Sequence, residues 1–149
     1  MFEEMIGKQS IPVKNRVEHG SVRAFSHAIG DPSPIYTDEE VGKRSRYGKN
    51  LAPPTYPRVF DYGVIEDFNL PNVGLIHGKQ TFQYNRPLLV GETVMCSTVL
   101  EDYYERKGKS GLLGFLILKR LGKDPDGDII FTEEQVVIIT EAVRKGMTS

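Results

Sequence analysis

Four long strand-like segments crowd the second half of this chain, and the turns between them constrain how they can pair. Ile76 to Asn85 carries Phe82 and Tyr84 in alternation, and Thr93 to Tyr104 opens on β-branched residues. Leu112 to Arg120 is continuously apolar through its middle, and Ile129 to Thr140 is rich in Val and Ile. Such runs, bounded by turn residues, are strand signals. Between the last two stands Asp124-Pro125-Asp126-Gly127, where proline presets φ and glycine supplies a positive φ. Lys107-Gly108-Lys109-Ser110-Gly111 makes the preceding turn. Tight turns join antiparallel neighbours, so the pattern predicts an antiparallel sheet.

The first half reads as helical. Val22, Phe25 and Ile29 fall at i, i+3 and i+7 on one face of a short helix over Ser21 to Ile29. Gly30-Asp31-Pro32 ends it, because proline disfavours the helical conformation in the residue before it. Asp31 to Tyr36 is then a stiff loop, with a short polar helix near Asp38 to Arg46. A third helix is predicted to open at Thr55, with Pro57 in its first turn and Tyr56, Val59, Phe60, Gly63 and Val64 as its apolar stripe. Gly63 in that stripe reads either as close approach of a sheet or as a tolerated defect. Leu70-Pro71-Asn72-Val73-Gly74 closes the region. Helices followed by strands imply an α+β domain over residues 1–149, with a curved antiparallel sheet wrapped around a long, buried central helix.

Composition excludes several classes. The formal net charge is −1, without the basic excess of a nucleic-acid-binding domain. The single cysteine, Cys96, lies in a strand segment and reads as a buried, inert thiol. No Cys/His cluster suggests a metal. Met1 to Lys14 lacks the apolar core of a secretory signal, and the longest apolar stretch, Leu112 to Leu118, is far short of a membrane span. The expectation is a cytoplasmic protein with no membrane attachment.

The run Ala24-Phe25-Ser26-His27-Ala28-Ile29-Gly30-Asp31-Pro32-Ser33-Pro34-Ile35-Tyr36-Thr37-Asp38 resembles the signature of MaoC-like (R)-specific enoyl-thioester hydratases, Gly-Asp-x-Asn-Pro-(Ile/Leu)-His-x-Asp after a short helix. His77 to Leu88, with Arg86-Pro87-Leu88 followed by Val90-Gly91-Glu92, is similar to the same family's first sheet strands. The resemblance covers nearly the whole chain. It extends to the N-terminal type of MaoC domain and to the non-catalytic subunit of two-subunit mycobacterial hydroxyacyl-carrier-protein dehydratases. It implies a single hot-dog fold, an acyl-CoA or acyl-carrier-protein thioester as substrate, no further cofactor, and a homodimer or a heterodimer with a catalytic hot-dog subunit.

In the family, a carboxylate and an imidazole share one water and move its protons, while a glycine N–H in a His-Gly pair meets the thioester oxygen. Carried over residue by residue, Asp31 stands at the carboxylate position and Tyr36 where the histidine should be. Ser33 replaces the asparagine, and Pro53-Pro54 replaces the His-Gly pair, so Pro54 cannot donate an N–H. Losing the general acid–base costs about 10²–10⁴ in rate, and losing an oxyanion donor about 10²–10³. Tyr36, with an ordinary pKa of about 10, reads as a tunnel-lining aromatic or a hydrogen-bond donor rather than a base. The Thr55 N–H is the one nearby replacement for the missing donor. Lys43, Arg44, Arg46 and Lys49 form a basic run that reads either as solvated surface or as a landing site for the carrier's phosphates. His77 reads as an ordinary hydrogen-bonding residue or a displaced base, and His19 and His27 as exposed.

Three readings follow. The first is a subunit that shapes the acyl tunnel while a partner supplies the Asp/His pair. The second is a self-sufficient hydratase using Asp31 with Tyr36 or His77. The third is a non-catalytic acyl-CoA-binding protein.

Overall fold

The computed structural model describes residues 1–148. Its frame is one antiparallel sheet of five strands: β1 (Val13–Arg16), β2 (Leu75–Tyr84), β3 (Thr93–Gly108), β4 (Gly111–Lys123) and β5 (Ile129–Ile139). The spatial order is β1-β3-β4-β5-β2, which leaves β1 and β2 as the two edges of an unclosed sheet. The β3–β4 hairpin turns between Gly108 and Gly111, and Gly111 has a φ of 113° that other residues rarely adopt. The β4–β5 connection folds where the sequence predicts it: the Asp124 side chain caps the N–H groups of Asp126 and Asp128, and Gly127 donates back to the Asp124 carbonyl.

Three helices, α1 (His19–Ala28), α2 (Pro34–Thr37) and α3 (Glu39–Arg44), lie between β1 and β2 in sequence, and α4 (Glu141–Thr148) follows β5. None of the described helices is long and apolar enough to cross a membrane. The predicted long central helix is not formed. Only a 3-10 turn, Tyr56–Val59, stands there, followed by irregular chain to Leu75. The stripe splits accordingly: Tyr56 and Phe60 are buried, whereas Val59 and Val64 are exposed. The chain turns extended at Phe60, with φ −71° and ψ 152°, and Gly63 has a φ of 76° that leaves helical geometry altogether. Gly63 does mark a close approach, since a methyl group there would come within 2.9 Å of the Ile11 carbonyl and 3.2 Å of Val13 in β1, but Gly63 itself stands in irregular chain rather than in a helix. The stretch expected to be stiff loop includes the helical turn α2, and β1 and α4 are additional elements.

Two apolar cores pack against the sheet. The first gathers Val17, Val22, Tyr56, Phe60, Leu88 and Phe131, with Tyr36 packed against it. The second gathers Phe2, Ile65, Leu100, Leu116, Leu118 and Ile139. Along β5 the buried residues pass from Phe131 through Glu133 and Gln135 to Ile139, so a polar belt separates the cores. Cys96 lies in the first core, fully buried, and burial pushes its thiol up to about 12. The inert-thiol expectation fits that environment.

Candidate functional site

The signature loop is positioned by the way α1 ends. Gly30, at a φ of 74°, donates to the His27 carbonyl, and the Asp31 N–H donates 2.9 Å to the Ser26 carbonyl. These paired bonds satisfy the last carbonyls of the helix and place Asp31 just beyond it. The Asp31 side chain is exposed and makes no ion pair or hydrogen bond among the described residues. Tyr36 is half-buried against the first core. Burial, and then the nearby Asp31 charge, push its phenol above the ordinary range. Ser33 accepts from the Tyr36 N–H at 2.9 Å and from the Thr37 hydroxyl at 3.2 Å, both through its carbonyl, so it acts here as a helix start.

Asn50 holds this loop in place. Its buried amide donates to the carbonyls of Ile35 and Asp38 at 2.9 and 2.8 Å. Gly42 packs so closely on Asn50 that a methyl group there would lie 2.6 Å from its backbone nitrogen. Sequence reasoning missed Asn50, because its partners are backbone carbonyls with no side-chain pattern. Beyond it, Pro53 is fully buried and Pro54 is exposed, and the Pro54 carbonyl accepts from the Tyr84 hydroxyl. Thr55 is exposed and its carbonyl accepts from Arg58. The Arg86-Pro87-Leu88 to Glu92 run closes on itself: Arg86 reaches both Glu92 oxygens at 2.9 and 2.8 Å, and Glu92 also accepts from the Leu89 N–H. That motif residue is therefore structural, and the Glu92 bond holds the guanidinium above its ordinary range.

The basic run is exposed. Lys43 pairs with Glu40 at 3.5 Å, Arg44 donates to the Glu40 carbonyl, and Arg46 stacks on Tyr47. Lys43 and Lys49 border a hollow of ≈ 240 Å³ together with His19 and Glu39. His19 is thus half-buried rather than solvated, and its Nε2 has no partner. The reason is that it opens α1, directly beneath the α3 loop. His27 is exposed as expected, with Nδ1 2.8 Å from the Arg23 carbonyl, and His77 is exposed on the β2 edge. None of the three histidines makes a hydrogen bond to Asp31, so the loop holds a carboxylate and a phenol without an imidazole. Among the described residues no group of three or more His, Cys, Asp or Glu is arranged to hold a metal.

A second polar constellation lies between the two cores, and sequence reasoning missed it entirely. Glu133 on β5 is fully buried. Its Oε1 accepts from Arg58 at 3.1 Å, from Gln135 at 2.7 Å, and from Gln80 on β2. Arg120 on β4 approaches the same oxygen at 3.9 Å while its guanidinium lies over the Tyr62 ring, 4.6 Å from its centre. The only signal in the sequence was a charged residue at a core-facing position of β5.

Residues 4–133 match the family model described as FAS1-like, dehydratase domain region. The chain belongs to that family. A UPF0336 protein of Thermobifida fusca is 33% identical over 108 residues, covering 68% of this chain and 71% of that one. Among solved structures, the C-terminally truncated HadBC (3R-hydroxyacyl-ACP dehydratase) complex of Mycobacterium tuberculosis is similar with a TM-score of 0.72 and 18% identity, covering 90% of this chain and 96% of that one. The ChsH1–ChsH2 complex of the same organism is similar with a TM-score of 0.71 and 21% identity, covering 87% and 83%. The fold of this dehydratase-region chain is therefore the MaoC-like hot dog, here with an open sheet and without the long central helix.

Proposed function

We propose that this chain is the acyl-cradling subunit of an (R)-3-hydroxyacyl-thioester dehydratase or enoyl-thioester hydratase, working beside a hot-dog partner that supplies the Asp/His pair. The observation that carries this reading is the signature loop itself. It keeps the carboxylate, Asp31, but sets beside it a phenol whose proton is held more tightly than usual. Such a phenol is a poor base near neutral pH, where a general base works best with a pKa close to the ambient value. The two prolines supply no N–H toward a thioester oxygen.

Partnering is supported by the sheet. The outer side of the ten-residue strand β2 is an unpaired hydrogen-bonding edge, suited to extending the sheet into a second hot dog. Two similar structures, HadBC and ChsH1–ChsH2, are complexes. The apolar groove of ≈ 480 Å³ between α1 and the Tyr56–Val59 turn, walled by Phe25, Tyr56 and Phe60, offers room for acyl chain next to the signature loop. Lys43, Arg44, Arg46 and Lys49 then steer the phosphates of coenzyme A or an acidic carrier protein, and no other cofactor takes part. The site of action is the cytoplasm.

The test is turnover of crotonyl-CoA. The purified chain is expected to hydrate it very slowly or not at all, and to form an active hetero-oligomer with a hot-dog chain carrying the intact Asp-x-Asn-Pro-x-His motif. Robust hydration by the chain alone, abolished by Asp31→Asn, would overturn the subunit reading.

A further inference from the structure

The basic run after the signature loop does not act as one patch, because its four side chains go to two places. Arg44 donates to the Glu40 carbonyl, and Arg46 lies over the Tyr47 ring. Lys43 and Lys49 instead border a hollow of ≈ 240 Å³, with His19, Glu39 and Asn50 among its other walls. Gly48, at a φ of 69°, makes the turn that brings Lys49 to the rim. Asn50 ties this hollow to the signature loop. The same side chain that lines it donates to the Ile35 and Asp38 carbonyls.

The donors around the hollow are available. Lys49 is exposed and makes no ion pair with a described residue. Lys43 is held only by its exposed pair with Glu40 at 3.5 Å, a surface contact of the kind that yields readily. His19 makes no side-chain hydrogen bond to a described residue. Its Nε2 is shut off from water, so the ring can meet a ligand only through Nδ1. Glu39 is the one carboxylate among the lining residues. Two ammonium groups against one carboxylate leave the hollow cationic, and a cationic hollow favours an anion.

We propose that this hollow binds a phosphate group of the thioester carrier, with Lys43 Nζ, Lys49 Nζ and His19 Nδ1 as its donors. The inference rests on reading the protein as an acyl-thioester binder, and it goes past charge steering: two of the four basic residues hold the ligand, and the other two only attract it. A phosphate monoester presents three strong acceptor oxygens, one for each donor, whereas a carboxylate presents two. Coenzyme A offers phosphate at two places, the ribose phosphate and the phosphate joined to pantetheine. The ribose phosphate is the monoester and matches the three donors better.

The experiment measures binding of four crotonyl thioesters to the purified protein in whichever oligomer it forms. The carriers are coenzyme A, dephospho-coenzyme A, phosphopantetheine and pantetheine, which make two matched pairs differing by one phosphate. The first pair is expected to differ about tenfold in affinity, the strength of a hydrogen bond to a charged group. A gap of that size in the second pair instead assigns the phosphate joined to pantetheine. Lys43→Gln combined with Lys49→Gln should close the gap and leave crotonyl-pantetheine binding as it was. Arg44→Gln combined with Arg46→Gln should slow association of the phosphate-bearing probes without changing their dissociation rates, because rim charges steer and contacts hold. Glu39→Gln should widen the gap. If both pairs agree within about twofold, this inference falls while the acyl-thioester reading stands, and that comparison needs no variant to fold. If the gap survives the double lysine variant, or closes in the double arginine variant, the inference is equally overturned. If no thioester binds at all, both readings fall.

Discussion

Asp31 and Glu133 are both carboxylates on this scaffold, and they differ in almost every physical respect. Asp31 is exposed, unpaired, and placed where it is by the backbone bonds that end α1. Glu133 is fully buried and holds three donors drawn from β2, β5 and the Tyr56–Val59 turn. The first sits in the family's recognisable signature, and the second in no motif. The contrast teaches that a signature residue can be placed by local backbone geometry alone, whereas a buried one depends on tertiary contacts. Gly30-Asp31-Pro32 ends a helix well whether or not a proton is moved there, so its presence reports on the loop before it reports on catalysis.

The contrast is sharpened first by deletion. Glu133→Ala leaves the partly buried Arg120, and the more exposed Arg58, without their counter-charge. It should lower unfolding free energy by about 3–5 kcal/mol in urea titration, the usual cost of breaking a buried pair. A loss of less than about 1 kcal/mol would mean the belt is wet and relaxed. Alkaline titration gives the next effect. Cys96 and Tyr62 hold their protons more tightly folded than unfolded, Cys96 at about 12 against an ordinary 9.0 and Tyr62 higher still than its ordinary 10.0, in both cases through burial. The unfolded chain therefore ionises first. Stability should be intact below the thiol's ordinary value and fall as pH climbs above it, by up to about 1.4 kcal/mol per pH unit for each group. Cys96→Val should delay the onset toward the tyrosine range.

Smaller effects lie nearer the signature loop. Tyr84→Phe removes the hydrogen bond to the Pro54 carbonyl and should cost about 0.5–1.5 kcal/mol by the same titration. Asp31→Asn should change stability by less than about 0.5 kcal/mol. It should also leave turnover of the hetero-oligomer nearly unchanged. A large loss of turnover there would reverse the contrast and make Asp31 a catalytic residue.

The sheet was legible because its signals are local and redundant. β-Branched runs, alternation at Phe82 and Tyr84, and the Asp124–Gly127 turn each point to the same strands, and four predicted segments agree with the observed ends to within a few residues. β1 was invisible because four residues following Pro12 carry too little pattern, and its identity depends on pairing Val13 with Cys96 far along the chain. The Thr55 helix was misread because the spacing of Tyr56, Val59, Phe60 and Val64 is also satisfied by a turn that buries two of the four. Asp31, Ser33 and Tyr36 do share one loop, as the motif suggested. His19 was misplaced because the α3 loop folds over it, and the belt was hidden because Arg58, Gln80, Arg120 and Glu133 meet only through tertiary contact.

The outer edge of β2 has one more consequence, for solubility. An open strand of this length invites indiscriminate pairing with any extended chain, the first step toward aggregation. This one is irregular: its register with β5 shifts between His77 and Lys79, around Gly78, and Lys79 and Gln83 stand exposed along it. A kink and a charge on an edge discourage stacking of identical copies into fibrils, while leaving room for a neighbour shaped to match the irregularity. An edge shaped this way suits a complementary neighbour better than a flat one.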